Sequence, residues 1–173
     1  LRQLHIRDIA GIIAAISLYR PGPLRGGLKE TFVRRYIGSE AVEYLHPALE
    51  PILRETLGVI LYQEQVLRIA HELAGFSLEQ ADGLRRAMTR FRSATEMEAL
   101  KEDFIRGAAA RSGVTQQTAE RIWGLMQSFA GYGFPKAHAA GYAVVAYRCA
   151  YLKAHYPAEF MTARLSEWGG YYS

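Results

Sequence analysis

Apolar side chains recur along this chain at the spacing of helix faces. Ile9, Ile12, Ile13 and Ile16 lie three and four residues apart behind Asp8, which predicts a helix capped by that aspartate and stopped by Pro21. Leu28, Phe32, Val33 and Tyr36 predict a short second helix closed by Gly38. Leu49, Ile52, Leu53 and Leu57 predict a third, and Val66, Ile69, Ala70 and Leu73 a fourth that ends at Gly75. Ser77 with Gln80 and Ser93 with Glu96 have the spacing of capping boxes, so helices are expected from Ser77 to about Arg90 and from Ser93 to about Arg111. Thr115 stands at the start of another, which carries Ile122, Leu125, Met126 and Phe129. After the loop Gly131–Pro135 come a long helix from about Lys136 to His155 and a short one over Ala158–Leu165, separated by Pro157. The long helix is apolar nearly all round (Ala139, Ala140, Val144, Val145, Ala146) and is therefore expected to be buried. Gly58–Tyr62 is the one stretch that reads as a short strand. The expected fold is all-α: an irregular assembly of about eight to nine helices in one or two packed lobes, with 1–75 and 76–173 as sub-lobes.

Composition narrows the class. Of 173 residues, 50% are hydrophobic and 22% charged, the balance of a soluble globular chain rather than a disordered one. The net charge is +4, and arginine supplies 17 of the 21 basic residues. A guanidinium grips phosphate or carboxylate through two bonds at once, so this bias points towards an anionic partner. Cys149 is the single cysteine, which rules out an internal disulfide and a zinc-binding thiolate cluster; its place in an apolar helix predicts an inert thiol. No apolar run reaches the length of a membrane span, and a cytoplasmic setting is expected. The start at Leu1 without a methionine and the end at Ser173 are those expected of a piece excised from a longer protein.

Self-contained catalysis is not expected. The three aspartates, Asp8, Asp82 and Asp103, fall on separate predicted helices, whereas two-metal phosphoryl transfer needs converging carboxylates. The histidines show no helical pairing, and Gly22–Lys29 lacks the Gly-Lys-Ser/Thr of a phosphate loop.

Two segments carry chemistry. Leu84–Arg92 places Arg85, Arg86, Arg90 and Arg92 within eight positions, and no acid occurs from Gly83 to Thr95. Arginines near a helix C-terminus complement its dipole, but four crowded guanidiniums repel unless an anion neutralises them, which points to phosphate. Phe129–His138 is a glycine-rich aromatic turn that delivers Lys136 and His138 to the first turn of a helix. There free N–H groups and the positive dipole end suit a phosphate or a sugar hydroxyl, and aromatics beside glycine suit a base. The alternative is a packed corner in which Tyr132 and Phe134 are core and His138 bonds Tyr142. By the loop Pro21–Gly27, Arg20 and Arg25 are either anion contacts or solvated.

Five segments, Ser17–Pro23, Gly58–Val66, Ala81–Met88, Phe134–Tyr142 and Leu152–Phe160, resemble successive motifs of the C-family bacterial DNA polymerases, the group of the DNA polymerase III alpha subunit and its error-prone paralogues. They follow the family's order and extend from about Ile9 to Leu165. The resemblance implies that the whole of 1–173 is a fingers region, facing a palm that carries the metal-binding aspartates. It implies that Arg85 and Arg86 grip the triphosphate of the incoming nucleotide, and that Tyr132, Lys136 and His138 lie by its sugar and base. Arg20, Arg25, Arg90 and Arg92 are the expected DNA contacts. Magnesium is expected with the full-length enzyme, its ligands lying outside this piece, which would be inactive alone. The implied partners are primer–template DNA, the incoming dNTP, the palm and thumb, and holoenzyme subunits such as the sliding clamp. Pro135-Lys136-Ala137-His138 replaces the Asn-Lys-Ser-His common in the replicative subunit, and Thr89-Arg90-Phe91-Arg92 replaces its Gly-Lys-Lys; both lean towards the error-prone paralogues. Pro-Lys-Ala-His also occurs in the Gram-positive replicative enzyme, so the resemblance leaves both branches open. The competing classes are a non-enzymatic helical module that binds nucleic acid or a partner protein, and a structural domain without a ligand.

Overall fold

The structure, a computed structural model, describes residues 4, 6, 8–18, 27–89, 94–129 and 134–167. Among them are nine α-helices, in line with the expected all-α fold, and no strand: α1 (Ile9–Leu18), α2 (Leu28–Tyr36), α3 (Glu50–Leu53), α4 (Gln63–Arg68), α5 (Leu78–Thr89), α6 (Ala94–Ser112), α7 (Gln116–Phe129), α8 (Lys136–His155) and α9 (Pro157–Ser166). The local signals act through identifiable bonds. Asp8 Oδ1 accepts from Gly11 N at 2.7 Å at the head of α1. Ser77 and Gln80 close a reciprocal capping box on α5, and Thr115 Oγ1 accepts from Thr118 N on α7. Ser93, the other expected cap, lies outside the described residues.

Three expectations are corrected. Gly58–Tyr62 forms no strand: Gly58 belongs to a turn, and the pairing of the stretch is a single parallel bridge between Tyr62 and Phe134. The third and fourth helices are not uniform. Short 3₁₀ turns (Pro47–Leu49 and Arg54–Thr56) flank α3, and α4 widens into a π-turn over Ile69–Leu73. The third concerns α8, which has the expected bounds but is not buried. Ala139 and Ala143 are completely covered, whereas Tyr142, Val144, Val145, Tyr147, Tyr151 and Leu152 are exposed, as is Cys149. An apolar helix is buried only as far as other elements cover it, and the main neighbours of α8 are α1 and α9.

The buried side chains form two clusters. The smaller joins Leu4, Ala14, Ala15, Leu18, Phe32, Val59, Leu61 and Tyr62. The larger runs from Leu49 to Phe129 and centres on Ile69, Leu73, Leu84, Phe104, Ile122 and Met126, with Phe104 against Trp123 at 5.6 Å between ring centroids. Between the clusters runs the segment Leu57–Tyr62. It is turned by left-handed backbone at Leu57 and Gly58, the second of which has no Cβ to resist it. Gln65, itself only 2% exposed, fixes this segment. Its Oε1 accepts from Leu61 N at 2.8 Å and Tyr62 N at 3.0 Å, while Nε2 donates to Thr56 Oγ1 at 2.7 Å and to Ile52 O at 3.4 Å.

The π-turn ends against α6 in a similarly saturated way. Arg111 Nε donates to Glu72 O at 3.1 Å and Ser112 Oγ to Leu73 O at 2.8 Å, so terminal carbonyls find side-chain donors. Helix α6 comes this close because of Gly107, where an added Cβ would overlap the Ala74 carbonyl. Two substitutions test these contacts through urea unfolding midpoints. Gln65→Ala strands two buried N–H groups and should cost about 2–4 kcal/mol. Gly107→Ala must push α6 off the Ala74 backbone and should cost about 2 kcal/mol or more.

Candidate functional site

Arg85 and Arg86 lie on α5, one turn beyond Asp82. The Asp82 carboxylate holds both: Oδ1 accepts from Arg85 Nε at 2.9 Å and lies 2.8 Å from its Nη2, and Oδ2 lies 3.0 Å from Arg86 Nη2. This is the i, i+3 and i, i+4 geometry of a helix face. The bond with Arg85 is the main reason the Asp82 carboxyl lies below the usual carboxylate range, with the charges of Arg85 and Arg86 adding to it. A single carboxylate therefore gathers two guanidiniums side by side. The absence of acids from Gly83 to Thr95 overstated the crowding, since the neutralising group stands just ahead of that window.

Gln63 and Glu64, the first two residues of α4, reach the other segment. Gln63 N donates to Phe134 O at 3.1 Å, and Gln63 Oε1 accepts from Arg85 Nη1 at 3.1 Å. Both oxygens of Glu64 lie 3.2 Å from Lys136 N, the first N–H of α8. The start of α8 is therefore not an open N-terminus, because a carboxylate already meets its leading donor. The Lys136 ammonium pairs with Glu55 and stands 5.7 Å from the centre of the Tyr62 ring. His138 is exposed and sits edge-on between Phe134 at 5.3 Å and Tyr142 at 4.7 Å, a ring contact where a hydrogen bond to Tyr142 was the alternative.

The structure thus links Arg85 to the segment of Lys136 and His138 through the first turn of α4. Tyr132, Arg20, Arg25, Arg90 and Arg92 lie outside the described residues. Gln63, Glu64 and Glu55 are the participants that pattern reasoning did not assign; the signal was a polar Gln-Glu-Gln run following a wholly apolar stretch. A groove of about 760 Å³, lined by Thr31, Arg35, Tyr44, Leu49, Ile60 and Arg121 among others, lies elsewhere and includes none of the expected nucleotide-site residues. Among the described residues, no group of three His, Cys, Asp or Glu side chains comes together to hold a metal ion, and no helix is long and apolar enough to cross a membrane.

Residues 1–112 match the sequence profile of the bacterial DNA polymerase III alpha subunit finger domain. The chain belongs to that family. Relatives extend the likeness over almost all of the chain: 43% identity with the DNA polymerase III subunit alpha of Aquifex aeolicus over 96% of the chain, and 51% with that of Pasteurella multocida over 94%. The error-prone DNA polymerase of Corynebacterium efficiens is 44% identical over the full chain. The chain spans 14–16% of the length of these three proteins. Replicative and error-prone relatives match at similar identity, so the chain is placed in the family and not in either branch.

Tyr62 gives the site a measurable signature. It is 3% exposed, and burial, with the charges of Glu55 and Glu64 adding to it, pushes its hydroxyl from about 10 to about 12 despite a hydrogen bond with Ser17. The folded-state value is raised, so the stability Tyr62 contributes is complete below pH ~10 and lost as pH rises towards and through 12. Phenolate absorbance during alkaline titration should show one tyrosine ionising about two units late, and Tyr62→Phe should abolish that late step.

Proposed function

We propose that this finger domain grips the incoming deoxynucleoside triphosphate and the primer–template DNA of a template-directed DNA polymerase. Arg85 and Arg86 bind triphosphate oxygens by charge-assisted bonds and stabilise charge building on the departing pyrophosphate. His138 and Tyr132 fit the sugar and exclude ribonucleotides, and Lys136 adds a cation to the phosphates once it exchanges Glu55 for them. Arg20, Arg25, Arg90 and Arg92 meet the DNA backbone. The observation that carries this reading is the pairing of two guanidiniums by one carboxylate, on a helix tied to the start of α8, in a chain of this family.

Among the described residues, the carboxylates by the proposed site are engaged in ways that do not fit a magnesium site. Asp82 is occupied by two guanidiniums and Glu64 by a helix N-terminus, while Asp8 caps α1. The magnesium ligands are proposed to come from the palm of the full-length polymerase, and on that reading the finger domain alone makes no DNA. The palm, the thumb and holoenzyme subunits such as the sliding clamp are its proposed neighbours.

Replacing Arg85 by alanine in the full-length polymerase should raise nucleotide KM or depress turnover, lowering kcat/KM by about 10²–10³-fold. Primer–template affinity, measured without nucleotide, should change little. Near-normal extension kinetics would sink the assignment. A loss of DNA affinity with no effect on nucleotide would instead favour a general nucleic-acid module, whose binding falls steeply with salt.

A further inference from the structure

Gln63 holds Arg85 in a different way from Asp82. Asp82 presents a full negative charge and shares it between two guanidiniums. Gln63 presents only an amide oxygen, 3.1 Å from Arg85 Nη1. An amide accepts and orients a hydrogen bond without a net charge, so it fixes the guanidinium plane and leaves its positive charge available to an anion. The backbone of the same residue reaches the opposite way, with Gln63 N donating to Phe134 O at 3.1 Å. Phe134 stands two residues before Lys136, at the head of the segment that carries His138, and its ring meets the His138 ring. One residue therefore joins α5 to the start of α8. Its own backbone is held in turn, since Tyr62 N, just ahead of it, is bound by the buried amide of Gln65.

We infer that Gln63 is a positioning residue for nucleotide capture: it sets the Arg85 guanidinium at a fixed offset from the start of α8, so that phosphate binding and sugar–base fit are coupled. This rests on the nucleotide-gripping role given to Arg85 above. Gln63 acts through Arg85 and is not itself assigned a contact with the nucleotide.

Steady-state primer extension by the full-length polymerase, with one dNTP varied, tests the inference in Q63A, Q63E, R85A and the Q63A/R85A double variant. Q63A should raise nucleotide KM about tenfold while kcat changes far less. Q63E keeps an acceptor at the same place and the same backbone donor but adds a negative charge, so its KM should rise at least as much. On the R85A background, Q63A should add less than about twofold, because the group it orients is gone. The inference is overturned by a Q63A KM within about twofold of the parent enzyme, by a Q63E enzyme with parental KM, or by full additivity of Q63A with R85A. If Q63A is recovered unfolded, Q63E alone decides between these outcomes. An R85A enzyme with unchanged KM would instead remove the nucleotide-gripping role, and the test separates that failure from failure of the inference.

Discussion

The buried side-chain amide of Gln65 is the constraint on which the site depends. The segment Leu57–Tyr62 runs between two hydrophobic clusters without a strand partner beyond one bridge, so the N–H groups of Leu61 and Tyr62 have no ladder to satisfy them. Leaving such donors unmet in the interior costs more than a hydrogen bond ordinarily contributes. Gln65 meets both with one oxygen, and Thr56 and Ile52 accept from its nitrogen. That closed set of bonds holds the segment against the 3₁₀ turn before it and the helix after it. The direction in which α4 leaves the core follows, and Gln63 and Glu64 at its first turn take their positions from it.

From that turn and the 3₁₀ turn before α4, short links lead outward to Arg85 and to the start of α8. Glu64 meets the first N–H of α8, Gln63 meets Phe134 O and Arg85, and Glu55, within the 3₁₀ turn, pairs with Lys136. The acidic partners are all at least partly solvated, so their pairing with Lys136 and the arginines is exchangeable. On the proposed reading, an incoming polyphosphate competes with carboxylates for these cations rather than entering a preformed empty cradle. The guanidiniums of Arg85 and Arg86 are met by a carboxylate of the chain itself, and on that reading the pairing is exchanged for phosphate when the nucleotide arrives.

The two clusters divide the work. The larger, with its aromatic stack of Phe104 and Trp123 and the close approach of α6 at Gly107, makes a rigid platform for α5 and its arginines. The smaller seats Tyr62 beneath the start of α8. Helix α8 then runs beyond this support, with Ala139 and Ala143 covered and the later tyrosines and valines outside.

The helices were legible because their signals are local. The Asp8, Ser77 and Thr115 caps and the three-to-four spacing of isoleucines, leucines and phenylalanines act within a few residues of themselves, and tertiary packing reinforced them. Arg85 and Arg86 stood out for the same reason, as charge density along a helix. The fate of α8 was not legible, since an apolar surface states what a helix is able to bury and not which neighbours are there to cover it. The Gly58–Tyr62 stretch has the composition of a strand, but a strand is defined by its partner, and only one bridge formed. Gln63, Glu64 and Gln65 are three adjacent polar residues with three destinations (an arginine on α5, the head of α8 and the buried turn beside them). The farthest side-chain bonds of the three span 22, 72 and 13 residues. By itself the sequence determined the helices, their caps and the arginine pair, all products of short-range interactions. Only the tertiary structure decided which polar side chain of that adjacent trio serves the site and which serves the core, because the choice is made by backbone geometry that exists only after distant segments have packed.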